Sequence, residues 1–308
     1  MNTLPVSVSI PTLGVETRAW QYGAVEGPTA ILVHGFRGDH HGLEGIAIAL
    51  AEALPGVRIV VPDLPGFGNT PAIPNRTHDI ELYGEWLRSF AREVAPEGFT
   101  ILGHSFGSLV VSAALAGGLA PRRTILINPI SAPALEGPQA LMTKLAIGYY
   151  RAADLLPERA ARGLLGNPLI VRVMSEVMAK TRDRELRSWI HNQHAQYFSL
   201  FADPTTLLQA FRASVSHTVP EFLAGFSTPT LVIAGEKDDI TPLAKQLELE
   251  LKLPDARLRI IPATGHLVHY EAVEDAVAYI SEFWMATQDP ECASGVVRVE
   301  AASNGAPA

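Results

Sequence analysis

The sequence predicts an α/β protein whose core is a mostly parallel, twisted sheet flanked by helices. Short apolar, β-prone runs alternate with segments of helical periodicity through residues 1–130. Most of these runs end in a loop that carries glycine or a polar side chain. The alternation stops over residues 131–226 and resumes afterwards. Although 308 residues would suit two domains, this pattern favours one core with a helical insertion.

The elements are expected in a regular order. Residues 6–10 alternate in polarity and form an antiparallel pair with residues 16–22 across a turn at Gly14. Helices are expected at residues 42–54 and 79–94. The buried runs that should form the other strands are 30–33, 57–61, 99–102, 123–127, 230–234 and 258–261.

The insertion and the C-terminal tail complete the predicted organisation. Helical patterns of the insertion are interrupted by prolines, at Pro138, Pro157, Pro168, Pro204 and Pro220. The predicted division is therefore residues 1–130 for the first part of the core, 131–226 for the insertion and 227–286 for the second part of the core. Residues 287–308 lack periodicity and are expected to form a disordered tail.

The pentapeptide Gly103-His104-Ser105-Phe106-Gly107 stands between a β-prone run and a run suited to a buried helix. A serine on such a sharp strand-to-helix turn presents its hydroxyl to an open site. Glycines two residues to either side relieve the crowding between strand and helix. Because the turn lies at a helix N-terminus, amide N–H groups there favour developing negative charge. We therefore expect Ser105 to be a nucleophile.

Two later strand ends carry residues that could activate this serine. One is followed by Asp238 and Asp239, and the other by Gly265 and His266. Imidazole can accept and return a proton near neutral pH, so His266 is the expected general base, with His269 as a rival on the following helix. An aspartate would orient the imidazole, and the two adjacent aspartates are chemically equal.

This chain order of serine, aspartate and histidine, together with two earlier segments, resembles the α/β-hydrolase family from about residue 31 to residue 286. The segments His34-Gly35-Phe36-Arg37-Gly38 and Asp63-Leu64-Pro65-Gly66-Phe67-Gly68 are similar to the family's His-Gly and D-x-x-G-x-G loops. The resemblance implies a helical cap inserted after the sixth strand. The family pattern G-x-x-D-x-x-x-P matches at Gly235, Asp238 and Pro242, so it favours Asp238 as the third member of the triad.

The resemblance also implies where the substrate binds. Backbone N–H groups of Phe36 and Phe106 would form the oxyanion hole. His34 is expected to hold its loop by hydrogen bonds. The aromatic-rich insertion indicates an apolar acyl or aryl pocket. The side chains expected around that pocket are His34, His104, Tyr149, Ile240 and Leu267.

The amino-acid composition limits the kinds of partner that the protein is expected to bind. Lys plus Arg number 24 against 32 for Asp plus Glu, a net charge of −8 without a basic stripe, which argues against nucleic acid. A single cysteine, Cys292, allows no intrachain disulfide, and no run is long enough to span a bilayer. A cytoplasmic protein acting on a small apolar molecule is expected, with no specified oligomeric state. No cofactor or metal is implied, since His191 and His194 lack an accompanying carboxylate motif and are interpreted as a polar helix face.

These features predict a serine hydrolase that cleaves a small to medium apolar carboxylic ester through an acyl-enzyme. A serine at position 105 argues against relatives that require an aspartate nucleophile, the haloalkane dehalogenases and epoxide hydrolases. The alternatives left open are a C–C bond hydrolase of a vinylogous diketone and a cofactor-free haloperoxidase or perhydrolase. A member of the family that binds a ligand without chemistry is a further alternative.

Overall fold

The buried apolar runs form one eight-stranded sheet in a computed structural model, which describes residues 5–133 and 140–287. The expected break at Pro138 and the tail from residue 288 onward lie outside the described residues. The strands are β1 (Val6–Thr12), β2 (Val15–Gly23), β3 (Thr29–Val33), β4 (Arg58–Pro62), β5 (Phe99–His104), β6 (Arg123–Ile127), β7 (Thr230–Gly235) and β8 (Ala256–Ile261).

The sheet has the order β1-β2-β4-β3-β5-β6-β7-β8. Strands β1 and β2 pair antiparallel, as do β2 and β4, and every other neighbouring pair is parallel. The central strands β3, β5, β6 and β7 are buried along their whole length, as expected of parallel strands covered on both faces. The predicted α/β architecture is therefore confirmed.

Helices cover both faces of the sheet. Helices α1 (His41–Ala53) and α11 (Val273–Ala286) pack on one face. Helices α2 (Ile80–Val94) and α3 (Phe106–Ala116) pack on the other. Helix α9 (Leu243–Lys252) lies between β7 and β8 in the chain, and the short α10 (Val268–Glu271) precedes α11. Asp79 caps α2 through a 2.9 Å hydrogen bond to Leu82 N, which explains where this predicted helix begins.

Between β6 and β7 the described chain forms helices and no strand of the sheet. We call this segment the helical insertion: α4 (Ala140–Asp154), α5 (Glu158–Leu165), α6 (Pro168–Met178), α7 (Arg184–Tyr197), α8 (Pro204–Ser216) and a 3-10 helix (Val219–Gly225). Two of the predicted breaking points, Pro168 and Pro204, are first residues of helices. Proline suits this position because its missing N–H has no partner there in any case.

The parallel strands direct their carboxyl ends to the same edge of the sheet. The loops after β3, β5, β7 and β8 therefore converge, and they carry the four segments that the sequence singled out.

Candidate active site

Ser105 occupies the turn between β5 and α3 with φ 54° and ψ −117°, a strained conformation for a residue with a side chain. The turn is also crowded. A side chain on Gly103 would collide with the backbone of Gly107, and one on Gly107 would collide with the carbonyl of Val33. The two glycines of the pentapeptide are thus required by close backbone packing, and the turn aims Ser105 out of the sheet edge.

Three side chains from separate loops form an unbroken hydrogen-bond chain. Nε2 of His266 lies 2.8 Å from Oγ of Ser105, and Nδ1 of His266 lies 2.7 Å from Oδ2 of Asp238. With the Nδ1 proton held by the carboxylate, Nε2 is free to accept the serine proton. This arrangement can deprotonate Ser105 as it attacks an electrophile.

The Asp238 carboxylate is buried yet fully hydrogen-bonded. Oδ1 accepts from the N–H groups of Ile240 and Thr241 at 2.8 and 3.0 Å, and Oδ2 also accepts from the Thr241 hydroxyl at 2.5 Å. Burial alone would raise the pKa of Asp238. The charge interaction with His266 and these hydrogen bonds outweigh it, so the net effect lowers the pKa and keeps the carboxylate ionised.

The neighbouring Asp239 has a different environment. Its Oδ2 pairs with Nζ of Lys180 at 2.5 Å, and its side chain is 46% exposed. The two adjacent aspartates that the sequence could not distinguish by chemistry therefore face opposite surroundings: Asp238 the imidazole, Asp239 the insertion.

Two backbone amides next to Ser105 have no hydrogen-bond acceptor among the described residues: the N–H groups of Phe36 and Phe106. The loop after β3 approaches the serine so closely that a Cβ on Gly35 would lie 3.4 Å from the Ser105 Cβ. His34 fixes this loop, since its Nε2 accepts from Leu64 N at 2.9 Å and its Nδ1 bonds to Gly35 O at 2.9 Å. Unpaired N–H groups beside a serine hydroxyl can stabilise an oxyanion.

Arg37, which follows this loop, ties it to the helical insertion. The buried guanidinium donates to Phe198 O at 3.0 Å, to Leu165 O at 2.7 Å and to the Tyr150 hydroxyl at 3.2 Å. Three insertion helices thus converge on a single side chain that lies one residue from Phe36.

A cavity of about 370 Å³ opens between the sheet edge and the insertion, with Ser105 and His266 in its wall. Most of the wall is apolar, including Phe36, Phe106 and Met174. The insertion also contributes Lys180 to this wall, where it pairs with Asp239 of the loop after β7. The arrangement offers a hydroxyl nucleophile to an apolar ligand of moderate size.

The structure brings four of the five expected pocket side chains to this wall: His34, His104, Ile240 and Leu267. The prediction for the fifth, Tyr149, is wrong, because Tyr149 is not among the described residues that line the cavity. Its hydroxyl donates to Leu164 O at 2.9 Å, within the insertion, so its polar end is used for packing helix α4 against α5.

His104 and His269 lie beside the triad but do not join it. Nε2 of His104 donates to the carbonyl of His266 at 3.1 Å, and no hydrogen bond joins His104 to the Ser105 hydroxyl. Burial lowers the pKa of His104 to about 3 and that of His269 well below its ordinary value. Both rings are therefore neutral at pH 7.

Some residues of the cavity wall were not predicted from the sequence. His269 was considered only as an alternative base, and nothing in the sequence indicated Tyr270, Lys180 or His194 as cavity residues.

The described residues include one group with the composition of a metal site: Asp39, His40 and His41, whose candidate ligand atoms lie within 4.8 Å of one another. The Nδ1 atom of each histidine is already hydrogen-bonded. His40 Nδ1 bonds to Asp63 at 2.9 Å and His41 Nδ1 to Asp39 at 3.1 Å. The group is accounted for as a set of loop hydrogen bonds.

The prediction that His191 and His194 lie on a polar helix face is wrong. Each side chain is buried, with only 4% of the residue exposed. Both place Nδ1 against the hydroxyl of Ser175, at 2.6 and 2.7 Å.

A strained serine at a strand-helix turn, joined to histidine and aspartate from later strand ends, defines a recognisable class of α/β proteins. Residues 30–278 match the profile of a family described as the alpha/beta hydrolase family. The chain therefore belongs to the α/β-hydrolase family, as the resemblance implied.

Relatives of this chain include an esterase and a hydrolase. The chain is 26% identical over 264 residues to a pimeloyl-[acyl-carrier protein] methyl ester esterase of Aeromonas hydrophila, covering 84% of this chain and 96% of the relative. It is 27% identical over 266 residues to a 2-hydroxy-6-oxononadienedioate/2-hydroxy-6-oxononatrienedioate hydrolase of Cupriavidus pinatubonensis, covering 84% and 83%.

Solved structures share the fold. A bromoperoxidase from Bacillus anthracis superposes with a TM-score of 0.73 at 15% identity, covering 91% of this chain and all of that one. A thermophilic esterase from Thermogutta terrifontis gives 0.71 at 23% identity, covering 93% and 100%. Among the described residues, helices fall short of the length and apolarity needed to cross a bilayer.

Proposed function

We propose that the protein is a serine hydrolase that cleaves a small to medium apolar carboxylic ester. The observation that carries the proposal is the hydrogen-bond chain from Asp238 through His266 to Ser105, which ends in the wall of an apolar cavity. Ser105 is assigned as nucleophile, His266 as general acid and base, and Asp238 as the residue that orients the imidazole.

The reaction proceeds through an acyl-enzyme. Oγ of Ser105 bonds to the ester carbonyl carbon while its proton moves to Nε2 of His266. The oxyanion accepts hydrogen bonds from the N–H groups of Phe36 and Phe106. The C–O bond then breaks, and His266 gives its proton to the departing alkoxide. Water attacks the acyl-enzyme with His266 again as base, which releases the acid and restores Ser105.

Substrate size follows from the cavity, and the helical insertion acts as the cap in this proposal. A space of about 370 Å³ suits a small molecule, and its largely apolar wall favours hydrocarbon acyl or aryl groups. The division into core residues 1–130 and 227–286 with a cap at 131–226 is part of the same proposal, as is a cytoplasmic location.

The test is a series of 4-nitrophenyl esters of increasing acyl length, measured as initial rates. We expect turnover with a clear length optimum, and a loss of at least about 10⁴-fold in kcat on Ser105→Ala. A fluorophosphonate should label Ser105 and no longer label the variant.

Ser112→Ala is the matched control, because this serine lies on the same helix and its hydroxyl donates to Ser108 O at 2.7 Å. It should keep the wild-type rate. Equal turnover by wild type and Ser105→Ala would contradict the proposal.

C–C bond hydrolysis is the second candidate, favoured by the similarity to the oxononadienedioate hydrolase. It uses the same three side chains in this proposal. Serine-dependent cleavage of a vinylogous diketone, with little activity across the whole ester series, would select it.

A further inference from the structure

Nearly every polar side chain in the described part of the cavity wall already has a partner within the protein. His34 and His104 are hydrogen-bonded to backbone, Ser105 to His266, and Lys180 to Asp239. The remaining two satisfied side chains are His194, bonded to Ser175, and Ser214, which donates to Phe211 O. These groups need no hydrogen bond from a ligand.

Two adjacent side chains are the exceptions among the described residues. His269 and Tyr270 line the cavity, and neither side chain is hydrogen-bonded to another described residue. His269 is only 7% exposed, and its Nδ1 is fully buried and unpartnered. An unpartnered donor is costlier to bury than a ring nitrogen left as an acceptor, so the proton belongs on Nε2.

The two rings form one continuous wall with the site already described. The ring centroids of His269 and Tyr270 are 4.2 Å apart, and the ring of His104 lies 4.1 Å from His269 and 5.3 Å from His266. The Tyr270 hydroxyl lies against Gly42, where a Cβ would be 3.7 Å away. One ring, His104, thus separates His269 from the reacting imidazole of His266, and two rings separate Tyr270 from it.

The described side chains at this end of the cavity, His269 and Tyr270, are uncharged. Burial lowers the pKa of His269 and raises that of Tyr270, so both stay uncharged at pH 7. The cation that lines the described cavity wall is Lys180, and it is paired with Asp239. A carboxylate placed beside His269 would lose its hydration without gaining an unpaired cation.

We propose that His269 and Tyr270 form a polar subsite for an uncharged hydrogen-bonding group of the substrate, a ketone, hydroxyl or amide. The inference rests on the proposed ester hydrolysis and names its substrate class: an apolar ester that carries one neutral polar group away from the scissile bond. A hydrogen bond to such a group would give a partner to the Nε2–H of His269 and to the Tyr270 hydroxyl, which have none among the described residues.

Matched esters of equal length test the subsite in each half of the substrate. The acyl series is 4-nitrophenyl hexanoate, 4-nitrophenyl 5-oxohexanoate and the mono-4-nitrophenyl ester of adipic acid. The alcohol series is hexyl butyrate against 5-hydroxypentyl butyrate, followed by acid release. In at least one half, kcat/KM for the neutral polar ester should exceed that of the apolar ester by about 3- to 10-fold, with the adipate ester poorest.

Tyr270→Phe removes one hydroxyl and His269→Leu removes the ring nitrogens. Each should bring the ratio of kcat/KM between polar and apolar esters close to 1, chiefly through KM for the polar ester. Tyr279→Phe is the matched control, since Tyr279 lies on α11, packs against the apolar core and is not among the described cavity residues. It should keep the wild-type ratio.

The outcomes separate this inference from the proposed function. Hydrolysis of the plain esters without discrimination in either series, or an adipate ester preferred over both others, overturns the subsite alone. A Tyr270→Phe variant that folds and keeps the wild-type ratio also overturns it. Absence of serine-dependent turnover on every ester overturns the proposed function and the subsite with it.

Discussion

Two serines among the described residues are hydrogen-bonded to histidine with a carboxylate nearby, and only one of them lies in the cavity wall. Ser105 contacts Nε2 of His266 at 2.8 Å at the sheet edge. Ser175, on helix α6 of the insertion, contacts Nδ1 of His191 at 2.6 Å and Nδ1 of His194 at 2.7 Å.

The hydroxyl of Ser175 is hydrogen-bonded to both imidazoles. It carries one proton, so it donates to one imidazole and accepts from the other. Its side chain is 1% exposed and does not belong to the described cavity wall. This cluster joins α6 to α7. His194 lines the cavity, but the Ser175 hydroxyl does not and is therefore not presented to a ligand there.

The carboxylates differ as well. Asp238 is buried and holds His266 through Nδ1 at 2.7 Å. Glu176 is 40% exposed, and hydrogen bonds from Arg187 and Arg172 lower its pKa to about 2. His191 Nε2 lies 3.2 Å from Glu176 Oε1 without the alignment of a hydrogen bond. The residue types agree, but only one set has a buried acid, an oriented ring and an open hydroxyl.

The largest expected difference between the clusters is in their acids. Asp238→Asn should lower kcat by about 10⁴-fold, because the amide favours the wrong imidazole tautomer and no longer stabilises its charged form. Glu176→Gln should leave kcat within about 2-fold, since this side chain is bound by surface arginines. Steady-state kinetics on the best ester measures both.

Asp239→Asn sharpens the same comparison one residue away. It removes a partly exposed ion pair with Lys180 and should change kcat by less than about 3-fold. A loss as large as that of Asp238→Asn would mean that the acid has been assigned to the wrong aspartate.

The second difference concerns pH. Burial, and then the charge of His191, lower the pKa of His194 to about 4, below its ordinary value of 6.5. The unfolded chain therefore takes up this proton before the folded chain does, so stability is full above about pH 6.5 and falls as the pH drops toward 4. The size is on the order of 3 kcal/mol at about 1.4 kcal/mol per pKa unit.

His194→Asn should remove part of this acid sensitivity. Asparagine can place an amide near the position of Nδ1 but does not titrate, so the loss of unfolding free energy between pH 6.5 and 4.5 should be smaller. Urea unfolding at the two pH values measures it. His217→Asn, in the partly exposed pair with Glu221, is the control and should retain the wild-type dependence. An undiminished loss in His194→Asn would show that its burial is not the cause.

The sheet and the residues at its edge were accessible from sequence because their signals are local. A buried run followed by glycine and a polar residue fixes both the strand end and the side chain that emerges there, as at Gly265 and His266. The three residues that the sequence selected are joined by hydrogen bonds in the structure. The two adjacent aspartates were separable only by a family pattern, since their difference arises from Lys180, far away in the chain.

The insertion resisted the same reasoning because its residues depend on which helices pack together. A histidine at helical spacing is typical of a polar, exposed helix face. His191 and His194 are nevertheless buried, because α7 packs against α6 and Ser175 of α6 hydrogen-bonds to both rings. Tyr149 and its neighbour Tyr150 look alike in sequence. One hydroxyl bonds to Leu164 and the other to Arg37, and neither residue is among the described cavity residues.

The smallest of the expected effects tests whether Ser175 is purely structural. Ser175→Ala leaves two buried imidazole nitrogens without their shared partner, so the free energy of unfolding should fall by about 1–3 kcal/mol. Activity should stay within about 2-fold, since neither Ser105 nor His266 contacts this cluster. Urea unfolding and ester kinetics on the same preparation separate the two effects, with Ser112→Ala as a buried-serine control. A kcat loss approaching that of Asp238→Asn with unchanged stability would contradict this, because the cluster in the insertion would then govern the geometry at Ser105 and the two serines would form a single functional unit.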